Sequence, residues 1–390
     1  MKTWLIEPRD PLIVRDGRPF GPTPGARAAS LSFPFPSTTT GGVRTRAGLD
    51  AQGTFAGDPA ELRKLTVKGP VLVELDPRSG EVSQWLAPRP ADALLLEEDP
   101  PTENAGVLRR LLPLKLPEGA STNLPDGLQP VGLPKPDLRK PHSGAPRFWQ
   151  WCAFKQWLTA PCDEQPFALA DLGHNGPVPE ERMHVSIQKD TQTNAEGALF
   201  QTRGLEFTGN QKPKLPGKRL ALAVVTNAAN LKPGIAPLGG ERRLMQWRES
   251  KAALSACACP KAVRETLARE KHCRVVLLTP AHFSGSWKPA WLFTKPGSVT
   301  PTLQAMAVGR PDVVSGWDFV TGKAKPTRRL APAGTVLFLK LAGTDDAVGE
   351  WVDTTWMSCL SDEEQDRRDG FGLAVLGTWD GVLRNLEVTE

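Results

Sequence analysis

The chain has 390 residues, 48 Lys and Arg against 43 Asp and Glu for a formal net charge of +5, and 39% hydrophobic residues. That length exceeds one ordinary core and predicts two domains of a globular protein. The opening MKTWLIEPRD carries charge too early for a signal peptide, no apolar run approaches membrane-spanning length, and six cysteines are too sparse for a disulfide framework; the expectation is a cytoplasmic protein that does not span a membrane.

Taken in order, residues 3–7 and the piece through Val14 read as strands, and Asp16-Gly17 as a turn. FPFPSTTTGGVRTRAGLD follows, with Ser37 to Thr40 as candidate caps for a short helix over residues 41–49. LTVKGPVLVELD and VSQWLAP read as a hairpin around residues 77–80, completing the opening of a β-α-β-β unit. Residues 100–180 are proline-rich and predict an insertion holding one helix over residues 147–160, whose Trp149, Trp151, Phe154 and Trp157 require burial on more than one side. MHVSIQKDTQTNAEGALFQTRGLEF predicts a long hairpin with a hydrophilic tip at residues 189–196. KRLALAVVT opens a second β-rich half, LGGERRLMQWRESKAAL reads as a glycine turn and a basic helix, and CRVVLLTPAHF, PAWLFT and AGTVLFLKL as strands. GFGLAVLGTWDGVLRNLEV closes the sheet. The domain boundary falls at 215/216.

Charge is unevenly placed. Residues 9–46 hold six basic and two acidic side chains, residues 203–248 nine basic and two acidic, and residues 345–369 nine acidic and two arginines. This polarity suits one face for a polyanion and another for a basic protein neighbour; solvated loops are the plainer reading of each cluster alone.

The four glycines of residues 367–381 invite a nucleotide cradle, but Gly370, Gly372 and Gly377 are spaced G-x-G-x-x-x-x-G and precede a strand. A dinucleotide fingerprint needs a closer third glycine at a helix start, and no phosphate loop is present either. Cys257-x-Cys259 with His272-Cys273 could hold zinc, although the spacing is irregular and buried free cysteines are the commoner state. The five histidines are scattered; His184, at a strand start, could serve a ribonuclease as base or equally bond phosphate or backbone. A phosphate-binding set remains: Arg15 and Arg18 flanking the Asp-Gly turn, Arg44 and Arg46 on the first helix, and Arg242-Arg243. With exposed aromatics such residues would hold single-stranded RNA.

EPRDPLIVRDGRPFG, FPFPSTTTGGVRTRAG, HVSIQKDTQTNAEGALFQT, LGGERR, SGWD, APAGTVLF and GFGLAVLGTWDG occur in this order over most of the chain. Together they resemble the RAMP subunit of type III-B CRISPR effector (Cmr) complexes that binds the 5′ handle of the guide RNA. The resemblance implies an α+β fold of two tandem ferredoxin-like (RRM-like) domains with insertions, residues 1–215 and 216–390. It implies a thumb-like hairpin at residues 183–200 and a glycine-rich loop near the C-terminus. It also implies a non-catalytic, cofactor-free subunit that contacts crRNA, the large polymerase/cyclase subunit and a backbone RAMP subunit, with target RNA met indirectly. By position, Lys189 near the hairpin tip, His184 beside it, and Arg367, Arg368, Gly370 and Gly372 of the glycine-rich loop join the candidate RNA contacts. A RAMP endoribonuclease that processes crRNA precursors is the alternative.

Overall fold

The computed structural model describes residues 1–15, 27–28, 30–208, 218–252, 254–285, 287–294, 297–318 and 322–387. The chain forms two compact units whose segments alternate along the sequence. The first takes residues 1–83, 176–253 and 313–329, the second residues 84–175, 254–312 and 330–390. The expected division at 215/216 is therefore corrected. Strands after residue 216 return to the N-terminal strand, and most of the expected insertion at 100–180 belongs to the second unit. Such pairing is set by long-range ladder contacts that composition does not carry.

In the first unit, β1 (Lys2–Pro8) is followed by α1 (Pro36–Ala47), β2 (Val67–Leu75), the hairpin strands β3 (Val178–Ile187) and β4 (Asn194–Glu206), then β5 (Arg219–Thr226) and β6 (Leu244–Ser250). The sheet runs β2-β5-β1-β6, with the short strand Gly234–Pro237 outside β6. β5 lies antiparallel to both β1 and β2, so those two are parallel with α1 as the connection between them. This is the split β-α-β order. Between β5 and β6 the chain uses Gly234–Pro237 and a 3-10 turn at Gly240–Arg242 in place of a second crossover helix.

Two local expectations change here. α1 starts at Pro36, which suits a first helical position because its missing N–H would be unsatisfied there anyway; Ser37 to Thr40 lie inside the helix, and Thr39 Oγ1 donates to the Pro36 carbonyl at 3.1 Å. The expected basic helix after LGGERR is the strand β6. Met245 and Trp247 alternate with less buried neighbours, a period of two that pairing with β1 selects over the helical reading.

The second unit contains α2 (Lys261–Glu270), β7 (His272–Leu277), α3 (Ala290–Thr294), β8 (Thr300–Ala307), β9 (Val336–Ala342), α4 (Asp345–Thr355), α5 (Glu364–Arg368) and β10 (Leu373–Thr378). Its sheet runs β8-β9-β7-β10, all neighbours antiparallel, with Ser358–Cys359 at the edge beyond β10. The order β7-α3-β8-β9-α4-β10 gives two split connections in one sheet. Val275, Leu277, Leu337, Leu339 and Leu376 form its core with Leu267 of α2 and Val348 and Val352 of α4.

PAWLFT, expected as a strand, is α3. Asp362 Oδ1 accepts from the Trp291 amide at 2.9 Å, supplying from a distant loop an acceptor that the local sequence lacks. The helix expected over residues 147–160 is shorter, Trp151–Thr159, and follows a strand at Phe148–Gln150. Trp149, Phe154 and Trp157 are buried, with Trp149 and Trp157 meeting edge to face at 5.9 Å, as the spread of aromatics requires. Both units are α+β, built on antiparallel sheets, in agreement with the expected fold class. Among the described residues no helix is long and apolar enough to cross a membrane.

Candidate nucleic-acid interface

The hairpin β3–β4 presents two unlike faces because successive side chains on a strand point to opposite sides. On one face Met183, Val185 and Ile187 stand exposed at 62%, 50% and 61%. On the other, His184 pairs across the ladder with Phe200, stacks on it at 5.1 Å and 15°, and places Nε2 2.8 Å from Oγ1 of the buried Thr202. The register shifts between Val185 and Ile187, where β4 takes five steps from Leu199 to Asn194 against two on β3, so the extra residues lie on β4. The tip holds itself in shape: Gln188 N donates to the Thr193 carbonyl at 2.9 Å, and Gln192 Nε2 donates to the Lys189 carbonyl at 2.8 Å. The Lys189 side chain is exposed and has no ion-pair partner among the described residues. An apolar stripe ending in a cation suits contact with base faces and a phosphate backbone.

A basic cluster sits on the same unit. Arg15 Nη2 lies 3.4 Å from Glu241 Oε1, and Arg243 Nη2 lies 2.9 Å from Glu241 Oε2, while Arg242 between them is exposed. Arg15 and Arg243 thus share one carboxylate, with the exposed Arg242 beside them. Gly240 N donates to the Ile13 carbonyl at 2.7 Å, and Leu12 bridges Leu205 of β4, so one segment anchors both the cluster and the base of the hairpin. Arg18 lies outside the described residues.

The arginines of α1 are engaged within the protein. Arg44 donates to the carbonyls of Leu62, Arg63 and Leu65 at 2.9, 3.1 and 3.2 Å, closing the C-terminal end of the helix Pro59–Arg63. Arg46 donates to the Lys232 carbonyl and lies over the Trp247 ring at 5.3 Å; burial lowers its pKa.

In the second unit, the space left by the glycine run is occupied by the chain itself. Gly372 has φ +81°, its amide donates to the Pro280 carbonyl at 2.8 Å, and a Cβ there would stand 2.8 Å from Ser361 N and 3.0 Å from Leu360 N. Gly370 and Gly372 are both buried, and the Gly370 carbonyl accepts from Thr279 Oγ1 at 2.7 Å. A Cβ on Gly377 would lie 3.0 Å from Arg274 Nη2 and 3.2 Å from Leu158. Arg274 is fully buried, ion-paired with the equally buried Asp92, and donates to the carbonyls of Thr378 and Trp157 at 2.8 and 2.6 Å. Trp157 Nε1 donates to Asp92 at 3.0 Å, completing a buried polar network. Arg367 Nη1 donates to the Ser361 carbonyl at 2.7 Å and its guanidinium lies over Trp291 at 4.5 Å, and Arg368 pairs with Glu364. The candidates on this segment are thus held by intrachain contacts.

Cys257, Cys259 and Cys273 are free thiols whose pKa values burial raises, to about 12 at Cys257 and about 11 at Cys259. His272 turns Nδ1 to the Glu270 carbonyl at 2.7 Å and its ring to Trp379. Among the described residues no three or more His, Cys, Asp and Glu gather as metal ligands. Sequence reasoning did not single out the Asp92–Arg274 pair or the stripe of Met183, Val185 and Ile187. The alternation in MHVSI is the signal for the stripe; no local signal exists for the pair.

The family model described as CRISPR-associated protein (Cas_Cmr3) matches residues 4–379. The chain belongs to the Cas_Cmr3 family. This Cmr-type CRISPR-associated protein is similar to a chain of "Cryo-EM structure of the Type III-B Cmr-beta bound to cognate target RNA and AMPPnP, state 1", at 15% identity and TM-score 0.47 over 86% of each chain. It is also similar to a chain of "Cryo-EM structure of the Type III-B Cmr-beta bound to cognate target RNA", at 16% identity and TM-score 0.44 over 86% of each. A third likeness is to a chain of "Crystal structure of Csm3-Csm4 subcomplex in the type III-A CRISPR-Cas interference complex", at 8% identity and TM-score 0.30 over 88% of this chain and 94% of that one. No curated protein matches the sequence.

Proposed function

We propose that this Cas_Cmr3 protein is a non-catalytic crRNA-binding subunit of a cytoplasmic type III-B effector complex. In this reading it caps the 5′ handle end of the guide and bridges the large polymerase/cyclase subunit to the backbone subunits, meeting target RNA only indirectly. Membership of the family across residues 4–379 supports the assembly part. The hairpin carries the RNA part: its exposed stripe and Lys189 at its tip, without an ion-pair partner among the described residues, are available on the surface, and the same unit carries the exposed Arg242 with Arg15 and Arg243, which share the Glu241 carboxylate. Charge would supply most of the affinity and make it salt-dependent.

The test compares RNA bearing the repeat-derived 5′ handle with handle-less RNA of equal length at physiological salt. Tighter binding of the handle-bearing RNA is expected; equal affinity contradicts the handle reading. Incubating precursor RNA with the protein in EDTA separates the scaffold from an endoribonuclease. Intact RNA is expected. Specific cleavage abolished by His184→Ala would establish the enzyme instead. The contacts of His184, a stacked Phe200 and the Thr202 hydroxyl, favour a structural or binding role.

A further inference from the structure

We infer that the groove beside α4 in the second unit receives a segment of a partner protein in which a Lys or Arg flanks an apolar side chain. The inference rests on the assembly part of the proposed function and is independent of the RNA part.

The groove is a cavity of about 200 Å³ lined by Leu292, Val299, Ala347, Glu350, Trp351 and Thr354. Sites for drug-sized molecules occupy roughly 300–1,000 Å³, so this one fits a side chain better than a cofactor. Leu292 and Val299 form a buried floor, and Ala347 and Trp351 are half-buried walls open to an incoming group.

The rim decides what kind of partner enters. α4, DDAVGEWVDTT, holds four carboxylates and no basic residue. Asp345 is already paired with Lys271 at 3.2 Å and Asp353 with Arg264 at 3.0 Å. Glu350, exposed at the cavity, has no ion-pair partner among the described residues. Residues 345–369 carry nine acidic side chains against two arginines, which repels a polyanion and attracts a cation. A Lys or Arg reaching Glu350 would also meet the Trp351 ring, a favourable cation–π partner, while its apolar neighbour fills the cavity. RNA fails both conditions. A basic, apolar protein segment meets both.

The experiment uses the tagged full-length chain expressed in its host, purified as wild type, Glu350→Lys and Thr354→Trp, with circular dichroism checking each fold. Both positions are exposed on α4, so folding is expected to survive. Co-purifying subunits and RNA are quantified, and p-benzoylphenylalanine at Thr354 is photo-crosslinked and its target peptide sequenced. At least a ten-fold loss of one protein subunit is expected in Glu350→Lys, with a smaller loss in Thr354→Trp. The crosslinked peptide is expected to pair Lys or Arg with an apolar residue. Wild-type stoichiometry in both variants, a crosslink to RNA, or a peptide without a basic residue overturns the groove and leaves the assembly reading standing. Absence of every subunit from the wild-type preparation overturns both.

Discussion

The hairpin at residues 178–206 and the glycine run at residues 370–378 make an instructive contrast, because sequence patterns offer both to RNA. In the hairpin, Met183, Val185, Ile187 and Lys189 project from a ladder held by its own backbone pairing and contribute little to a core. In the glycine run, missing side chains make room for the Leu360–Ser361 backbone and for the buried Arg274, and every residue from Gly370 to Trp379 is buried. A bare backbone shows that something approaches closely, without saying what. Unspent side chains on an ordered strand are the stronger pointer to an external partner.

The sharpest way to break the contrast is to attack the internal network. Arg274→Ala leaves Asp92 buried without its cation, and a loss of about 3–5 kcal/mol of stability is expected in denaturant unfolding. Arg274→Met with Asp92→Leu should recover much of it; a single variant as stable as wild type would remove the network from the account. Gly372→Val follows, at about 3 kcal/mol, because a side chain at φ +81° is strained and its Cβ meets backbone nitrogen at 2.8 Å. If RNA affinity falls while unfolding is unchanged, the glycine run faces RNA after all.

Arg44→Ala removes donors from three carbonyls and is expected to cost about 1.5–3 kcal/mol, with RNA affinity of the folded protein unchanged. A fall in affinity at constant stability would return Arg44 to the RNA surface. The smallest stability effect belongs to Met183→Asp with Val185→Asp, within about 0.5 kcal/mol since both side chains are exposed. The same pair should weaken handle-bearing RNA binding at least ten-fold in filter-binding titrations; unchanged affinity would deprive the stripe of its role.

Much of this architecture is legible in the sequence where the signal is local. The alternation of MHVSI and the apolar runs CRVVLL and AGTVLFLKL locate strands because period and β-branched content agree. The errors share a physical cause. LMQWRES is a strand because β1 pairs with it, AWLFT is a helix where Asp362 serves its first turn, and the units interleave because β5 and β6 return to β1. The candidate site divides in the same way. Lys189 and Arg242 stand exposed and Arg15 and Arg243 meet at Glu241, whereas Arg44, Arg46 and Arg367 are cations whose backbone and ring partners only the fold supplies.

The most direct measurement is photo-crosslinking of handle-bearing RNA, substituted with 4-thiouridine, to the full-length protein, with the modified peptides identified by mass spectrometry. Crosslinks within residues 178–206, and none within residues 370–378, are expected. Crosslinks within residues 370–378 and none on the hairpin would contradict the account.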